Sequence, residues 1–564
     1  MAEECFDPIG LEIMWSRLIS IADEMWTTVL RTAVSTIIGA AQDFGCEIMD
    51  AHGNSVAHSQ RSMPVFNLVM PTVTRAVMAR YPVATMRPGD VFATNDPWIC
   101  AGHLDDIAIV SPVFHGDRVV AFLTTVAHTS SIGGSLSASA VRDLYEEGLR
   151  IPICKLYDAG VADDTVFAFI RDNVRAPEMV LTDIEAQVTA NALGATRLTA
   201  FLREYGLDDL EALARTVQAR AEGAMRAAIR AVPNGVYTNE ALTDGYGPGD
   251  PVRLRCRVVV EDEGITVDYD GSDPQRLAGG INCALIYTAA HTVYPLKCLL
   301  TPQVPNNEGT FRPITTSAPE GSILNCTPPA SVNSRTRTGW HLHGLLFGAL
   351  AGALPDRVQA GNGLMHGLNT YGQDAGGRIY NAHFFTAGGR GASRGRDGIG
   401  RNCFPSSARN VPVEIWELRA PVLVRQRSLR PDSAGAGQWR GAVGHEVVVS
   451  RLPGFARPVH VFFHPDRLYH APQGLAGGED GPLTEVILNG ERLTPEALAA
   501  GHVALGRDED RLLERLPGGA GYGDPARRDP AALAADLRSG LVTPEGARTS
   551  YASFAPAEAV KTDG

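Results

Sequence analysis

The chain has 564 residues, 44% hydrophobic and 20% charged. That composition excludes a predominantly disordered protein and allows several separately cored domains. A net charge of −13 without a long Lys/Arg run argues against nonspecific nucleic-acid binding. There is no apolar run of the roughly eighteen residues a membrane helix needs, and the acidic start Met1-Ala-Glu-Glu lacks the basic region of a secretion signal. The nine cysteines are scattered and never form C-x-x-C, which reads as free thiols in a reducing compartment. A cytoplasmic chain without membrane association is expected.

Residues 8–33 place apolar groups at helical spacing and predict a helix. QDFGCEIMDAHGNSVAHS follows as two short strands around His52-Gly53-Asn54, with Asp43 at their start. IAIVSPVF and VVAFLTTV are β-branched-rich runs joined by Gly116-Asp117 and predict a hairpin. Pro112 removes a backbone donor, which suggests an edge strand or a bulge. Residues 163–231 read as helices punctuated by Pro177, Gly206 and Pro233.

From about 234 the texture changes. VRLRCRVVVEDEGITVDYDGSD alternates at period two around Glu263-Gly264, and HLHGLLFGALAGAL at 341–354 returns to helix. Residues 387–398 are glycine-rich, and strand-and-turn sequence then runs to about 490. In the tail, Asp529-Pro530 fits an N-cap and first turn, and Gly540 a C-terminal stop. The expected class is α+β and multi-domain. The texture suggests an α+β region with long helices over 1–233, into which the candidate metal site falls, a mixed region with the glycine-rich loop over 234–430, and a β-rich region with a helical tail over 431–564.

The chemistry concentrates in His103, Asp106 and His128. If His115 pairs with Arg118, paired positions sum to 233, and the hairpin returns His128 to the end from which His103-Leu-Asp-Asp departs. Two imidazoles and a carboxylate meeting there have the ligand chemistry of a divalent metal site. That register puts Asp105 opposite His128 and Asp106 opposite Ala127, so spacing leaves the choice of aspartate open. Cys100 is a conceivable soft ligand but reads better as a small core residue.

Other candidates are weaker. The glycine-rich stretch lacks G-K-[ST] and is not a G-x-G-x-x-G between strand and helix, so it reads as a flexible or tightly turning loop, although Arg390, Arg394 and Arg396 offer charge to an anion or a partner chain. His341 and His343 share a face only in a strand, and their surroundings favour helix. There is no G-x-S-x-G elbow, and the hydroxyls at 129–131 read as local caps. Glu147 is placed to act as an acid or base only if it faces the metal. No catalytic residue is assigned.

Taken together, several blocks resemble the hydantoinase B/oxoprolinase family. DPIGLEIMWSRLISIADEM…DFGCEIMDAHG, NDPW…GHLDDIAIVSPVF, AHTSSIGG, DNVRAPE…DIEAQ, NNEGTFRP…APEGSILN, NVPVEIWE, PDSAGAG-x-WRG and PGGAGYGDPARRDP follow the family's order nearly end to end. The resemblance implies a divalent metal, Zn²⁺, Mn²⁺ or Fe²⁺, held by Asp43, His103, Asp106 and His128. It favours Asp106 over Asp105 and adds Asp43, which the hairpin does not indicate. It also implies a hetero-oligomer in which a hydantoinase A-type subunit binds ATP and activates the substrate. The reaction implied is opening of a cyclic amide such as a hydantoin or lactam, or alternatively carboxylation of a ketone. The chain departs from many relatives at Gly39-Ala40-Ala41-Gln42, Cys100-Ala101-Gly102 and Ser131, where an acid is common, so its substrate is expected to differ.

Overall fold

The computed structural model describes residues 6–136, 140–374, 376–400 and 402–551. Cys5, one of the nine cysteines, lies outside them. The architecture is α+β and multi-domain, with several sheets and helices packed on them.

The largest sheet has seven strands: β1 (Phe44–Asp50), β2 (Ser55–His58), β3 (Val91–Thr94), β4 (Asp106–His115), β5 (Arg118–His128), β6 (Cys154–Asp158) and β7 (Val161–Ala162). Their order is β2-β1-β5-β4-β3-β6-β7, and every neighbouring pair is antiparallel. The first helix, Pro8–Thr32, starts where Asp7 accepts from the backbone N–H of Ile9 and Gly10 with proline in the first turn. Its apolar stripe (Leu18, Ala22, Met25, Trp26, Val29) is buried. With the helix Pro177–Tyr205 it covers one face of the sheet, while Phe66–Arg80 covers the other.

Two details fix that layer. Asn191, fully buried, donates to Ile109 O, Ser111 Oγ and Leu123 O, tying its helix to both strands of the β4–β5 hairpin. Gly194 sits where a methyl group would come within 2.6 Å of Met25 Sδ, so the two long helices approach through a missing side chain.

The β4–β5 hairpin closes as expected over Gly116-Asp117, with His115 opposite Arg118. Its register differs from the simple sum. A bulge sets Val113 opposite Ala121 and Phe114 opposite Val119, leaving Val120 as the extra residue. From there on, pairs sum to one more, so Asp106, and not Asp105, stands opposite His128. The bulge lies beside Pro112, but β4 is an interior strand and not an edge.

A four-stranded sheet follows: β8 (Gly235–Thr243), β9 (Val252–Glu261), β10 (Gly264–Asp268) and β11 (Ile314–Ser317), in the order β11-β10-β9-β8. Its β9–β10 turn is Asp262-Glu263, one residue earlier than expected, because Gly264 already pairs with Glu261. The helices Leu285–Leu300 and Leu342–Leu350 pack against this sheet. Two further sheets of four and five strands draw their strands from 365–505 and 422–515. The tail helix Pro530–Arg538 is capped by Asp529, and Gly540 has the left-handed φ of +67°.

The glycine-rich loop is packed directly on backbone. A methyl group at Gly391 would lie 2.0 Å from Ala360 O, so the glycines serve close approach here. Among the described residues no helix is long and apolar enough to cross a membrane. The eight described cysteines are free.

Candidate metal centre

Three adjacent strands bring the residues into one row. Asp106 opens β4 and pairs with His128 at the end of β5. On the other side of His128, Asp43 precedes β1, and its carbonyl accepts from the His128 N–H at 3.0 Å. His103 arrives from the turn before β4. Buried Asn95 holds that turn by donating to Leu104 O at 2.7 Å and Leu149 O at 3.0 Å while accepting from the Ile151 N–H at 2.6 Å. Gly102 has φ +83°, and a methyl group there would lie 2.9 Å from both Arg335 Cδ and Tyr287 Cβ.

His103 Nε2 is 2.8 Å from Asp106 Oδ2, and His128 Nδ1 is 3.0 Å from Asp106 Oδ1. One ligand atom from each of these three residues lies within 4.8 Å of the others. Asp43 lines the same cavity but stands outside that tight group.

The donor set fits a divalent cation on a structural ground. Both ring nitrogens of His103 are buried without a hydrogen-bond partner, and the approach of Nε2 to Asp106 is not directed as a hydrogen bond. Buried polar atoms are ordinarily satisfied, and two imidazoles with a carboxylate suit a borderline metal.

Electrostatics couple the four side chains. Burial and then Arg335 lower the His103 pKa, which favours a free lone pair. Burial opposes the Asp106 carboxylate, yet His103 and His128 together hold its pKa well below the usual range. At His128 burial disfavours the cation, but the Asp106 hydrogen bond and the Asp106 and Asp43 charges outweigh it and raise the pKa to about 9. Burial pushes Asp43 up to about 6.

Arg335 completes the cluster from a distant part of the chain. Its Nη2 donates to Asp106 Oδ2 at 3.0 Å, its Nε to Ala101 O at 2.6 Å, and its guanidinium lies 4.4 Å from the centre of the Tyr287 ring. A donor on the second oxygen of a ligand carboxylate fixes that carboxylate's orientation.

The cluster opens on a cavity of about 250 Å³. Its wall includes the apolar Met63, Phe66, Met365 and Phe385, the hydroxyl residues 129–131, and Glu147. Glu147 Oε1 accepts from the backbone N–H of Val332 and Asn333, Oε2 is buried without a partner, and burial pushes the pKa up to about 8. His383 and His464 also line the cavity. Burial lowers their pKa to about 3 and about 4, so both are neutral.

Other residues singled out in the sequence lie elsewhere or act structurally. Cys100 is buried and directs its thiol at Asp106 O. His341 and His343 diverge: His341 Nε2 meets Asp466 Oδ1 at 3.1 Å, whereas His343 packs beside His291, Tyr294 and Phe404. Arg390 donates to Gln359 and Arg394 pairs with Asp356. Sequence reasoning missed Arg335, His383 and His464. Arg335 lies 229 positions from Asp106, and no local spacing rule spans such a separation.

The solved structure of the ATP-dependent caprolactamase from Pseudomonas jessenii superposes with a TM-score of 0.89 at 26% identity, over 98% of this chain and 97% of that one. An acetone carboxylase structure shares the fold, with a TM-score of 0.84 at 19% identity over 97% and 79% of the two chains. A protein of Pseudomonas sp. (strain NS671), provisionally named as the B-type component of a D-/L-hydantoinase, is 31% identical over 97% of this chain and 95% of its own. The family model for hydantoinase B/oxoprolinase matches residues 7–525, and the chain belongs to that family.

Proposed function

We propose that this chain is the metal-bearing subunit of an ATP-dependent amidohydrolase that opens a cyclic amide, a hydantoin or a lactam. A hydantoinase A-type partner subunit would bind ATP and activate the substrate. The observation that carries the reading is the convergence of His103, Asp106 and His128 on one cavity, with the His103 ring nitrogens unsatisfied. Asp43 is the fourth ligand in this proposal, standing on the same row and the same cavity. A divalent ion there, Zn²⁺, Mn²⁺ or Fe²⁺, would supply Lewis-acid polarisation of the amide oxygen.

The chain's own residues do the positioning. Arg335 holds Asp106, and the Asn95-stapled turn holds His103. A cavity of about 250 Å³ lies below the usual range for drug-sized ligands and suits a small ring. The apolar residues Met63, Phe66 and Phe385 limit water around that ring. The sequence offers no phosphate-binding loop, which agrees with ATP being bound by the partner.

The test is turnover by the purified complex with ATP, offered a panel of hydantoins and lactams and, separately, ketones with labelled bicarbonate. A ring-opened acid supports the proposal. Label fixed into acid-stable product would assign the carboxylase reaction instead. A fully metal-loaded complex that turns over neither panel would mark a non-catalytic scaffold.

A further inference from the structure

The cavity wall carries a second guanidinium, Arg337, two residues from Arg335 on the short helical turn Thr336–Gly339. It is only 9% exposed. Its Nη2 donates to Gly245 O at 2.8 Å, and its guanidinium sits 4.8 Å from the centre of the Tyr246 ring. Nε is buried without a partner. Among the described residues no carboxylate comes within ion-pair distance of it. Asp466, which feels its charge, is already held by His341 Nε2 at 3.1 Å and by the Arg467 N–H at 2.7 Å.

The neighbouring arginines differ. Arg335 has Asp106 as its counter-ion. Arg175, half-buried on the same cavity, spends its guanidinium on the carbonyl oxygens of Gly133 and Gly134. Arg467 lacks a close carboxylate too, but it lies in the field of Asp466, Asp244 and Asp480 and does not line the cavity. Arg337 is thus a buried cation on the cavity wall with unused donors, a costly state unless an anion arrives to meet it.

We propose that Arg337 is an anion anchor of this cavity, receiving a carboxylate or phosphoryl oxygen of the bound molecule. The planar guanidinium suits either group. The inference rests on the cavity being the substrate site. It places the anionic part of a bound cyclic amide on Arg337. Such a molecule would span the cavity, its amide toward the His–Asp cluster and its anionic end on Arg337.

The test is binding, measured by calorimetry on the full metal-loaded chain without ATP. The probes are 2-pyrrolidone-5-carboxylate, neutral 2-pyrrolidone and inorganic phosphate. The wild type should bind the carboxylate about tenfold more tightly than the neutral lactam, and Arg337→Met should erase that difference without changing neutral-lactam affinity. Arg337→Lys should retain part of it and serves if the methionine variant fails to fold. Arg337-dependent binding of phosphate alone would support the anchor and assign the anion to the phosphoryl group. Equal binding of all probes by wild type and variants would overturn the inference, as would carboxylate preference surviving in Arg337→Met. Because turnover is not measured, a complex that binds anions through Arg337 yet opens no ring would sink the hydrolase reading and leave this one standing.

Discussion

Asp106 stands directly across from His128 on the neighbouring strand, and it does so because Val120 bulges out near the other end of the hairpin. One extra residue moves the carboxylate by one position and turns a near miss into a 3.0 Å contact with the imidazole. Replacing either histidine should therefore dismantle the cluster. Elemental analysis of His103→Ala and His128→Ala should show metal falling from one equivalent toward zero. Undiminished metal in both variants would refute the ligand assignment.

Arg335 should matter without touching the ion. Its Nη2 and Nε donors orient Asp106 and the Ala101 carbonyl. Arg335→Met should lower metal affinity by about 10–100-fold, as removal of outer partners typically does. Competition with a chelator would measure the change, and wild-type affinity would show that the guanidinium plays no positioning part.

Gly102 is a steric prediction. With φ at +83° and both Arg335 and Tyr287 within 2.9 Å of any added carbon, Gly102→Ala should destabilise the fold by about 1–3 kcal/mol. It should also lose metal, because the strain falls on the residue before His103. An unchanged denaturation midpoint would contradict this account.

Glu147 gives a pH signature. Its folded pKa, about 8, lies above the ordinary 4.5, so between those values the folded chain binds the extra proton. Stability should accordingly fall as pH rises through that window, by at most about 1.4 kcal/mol per pH unit from this group. Glu147→Gln keeps an acceptor for the Val332 and Asn333 N–H groups and should flatten the slope. Parallel stability curves for variant and wild type from pH 5 to about 8 would refute it.

The isolated chain should hydrolyse no ATP. Steady turnover without a partner subunit would reveal a nucleotide site that the sequence does not display.

Local features were legible in the sequence wherever neighbours along the chain decide them. The first helix, the Gly116-Asp117 turn and the Asp529–Gly540 helix all follow from short-range rules. His103 and His128 were legible because a hairpin converts a sequence separation into proximity. The aspartate opposite His128 was not, since a bulge leaves no clear mark in composition, and Pro112 signalled only that some irregularity was near. Asp43 joins the row through β1–β5 pairing, and that choice of strand neighbour is a tertiary one. Arg335, Arg337, His383 and His464 come from beyond residue 330 and reach the cavity by packing that no periodicity encodes.

The reach of Arg335 across the chain has a further consequence. A fragment that stops before it would contain every proposed ligand and still present Asp106 without its guanidinium clamp. Assembly of the centre should then be complete only once the middle of the polypeptide docks on the first sheet. Uptake of the ion should report that docking, lagging behind the appearance of secondary structure during refolding.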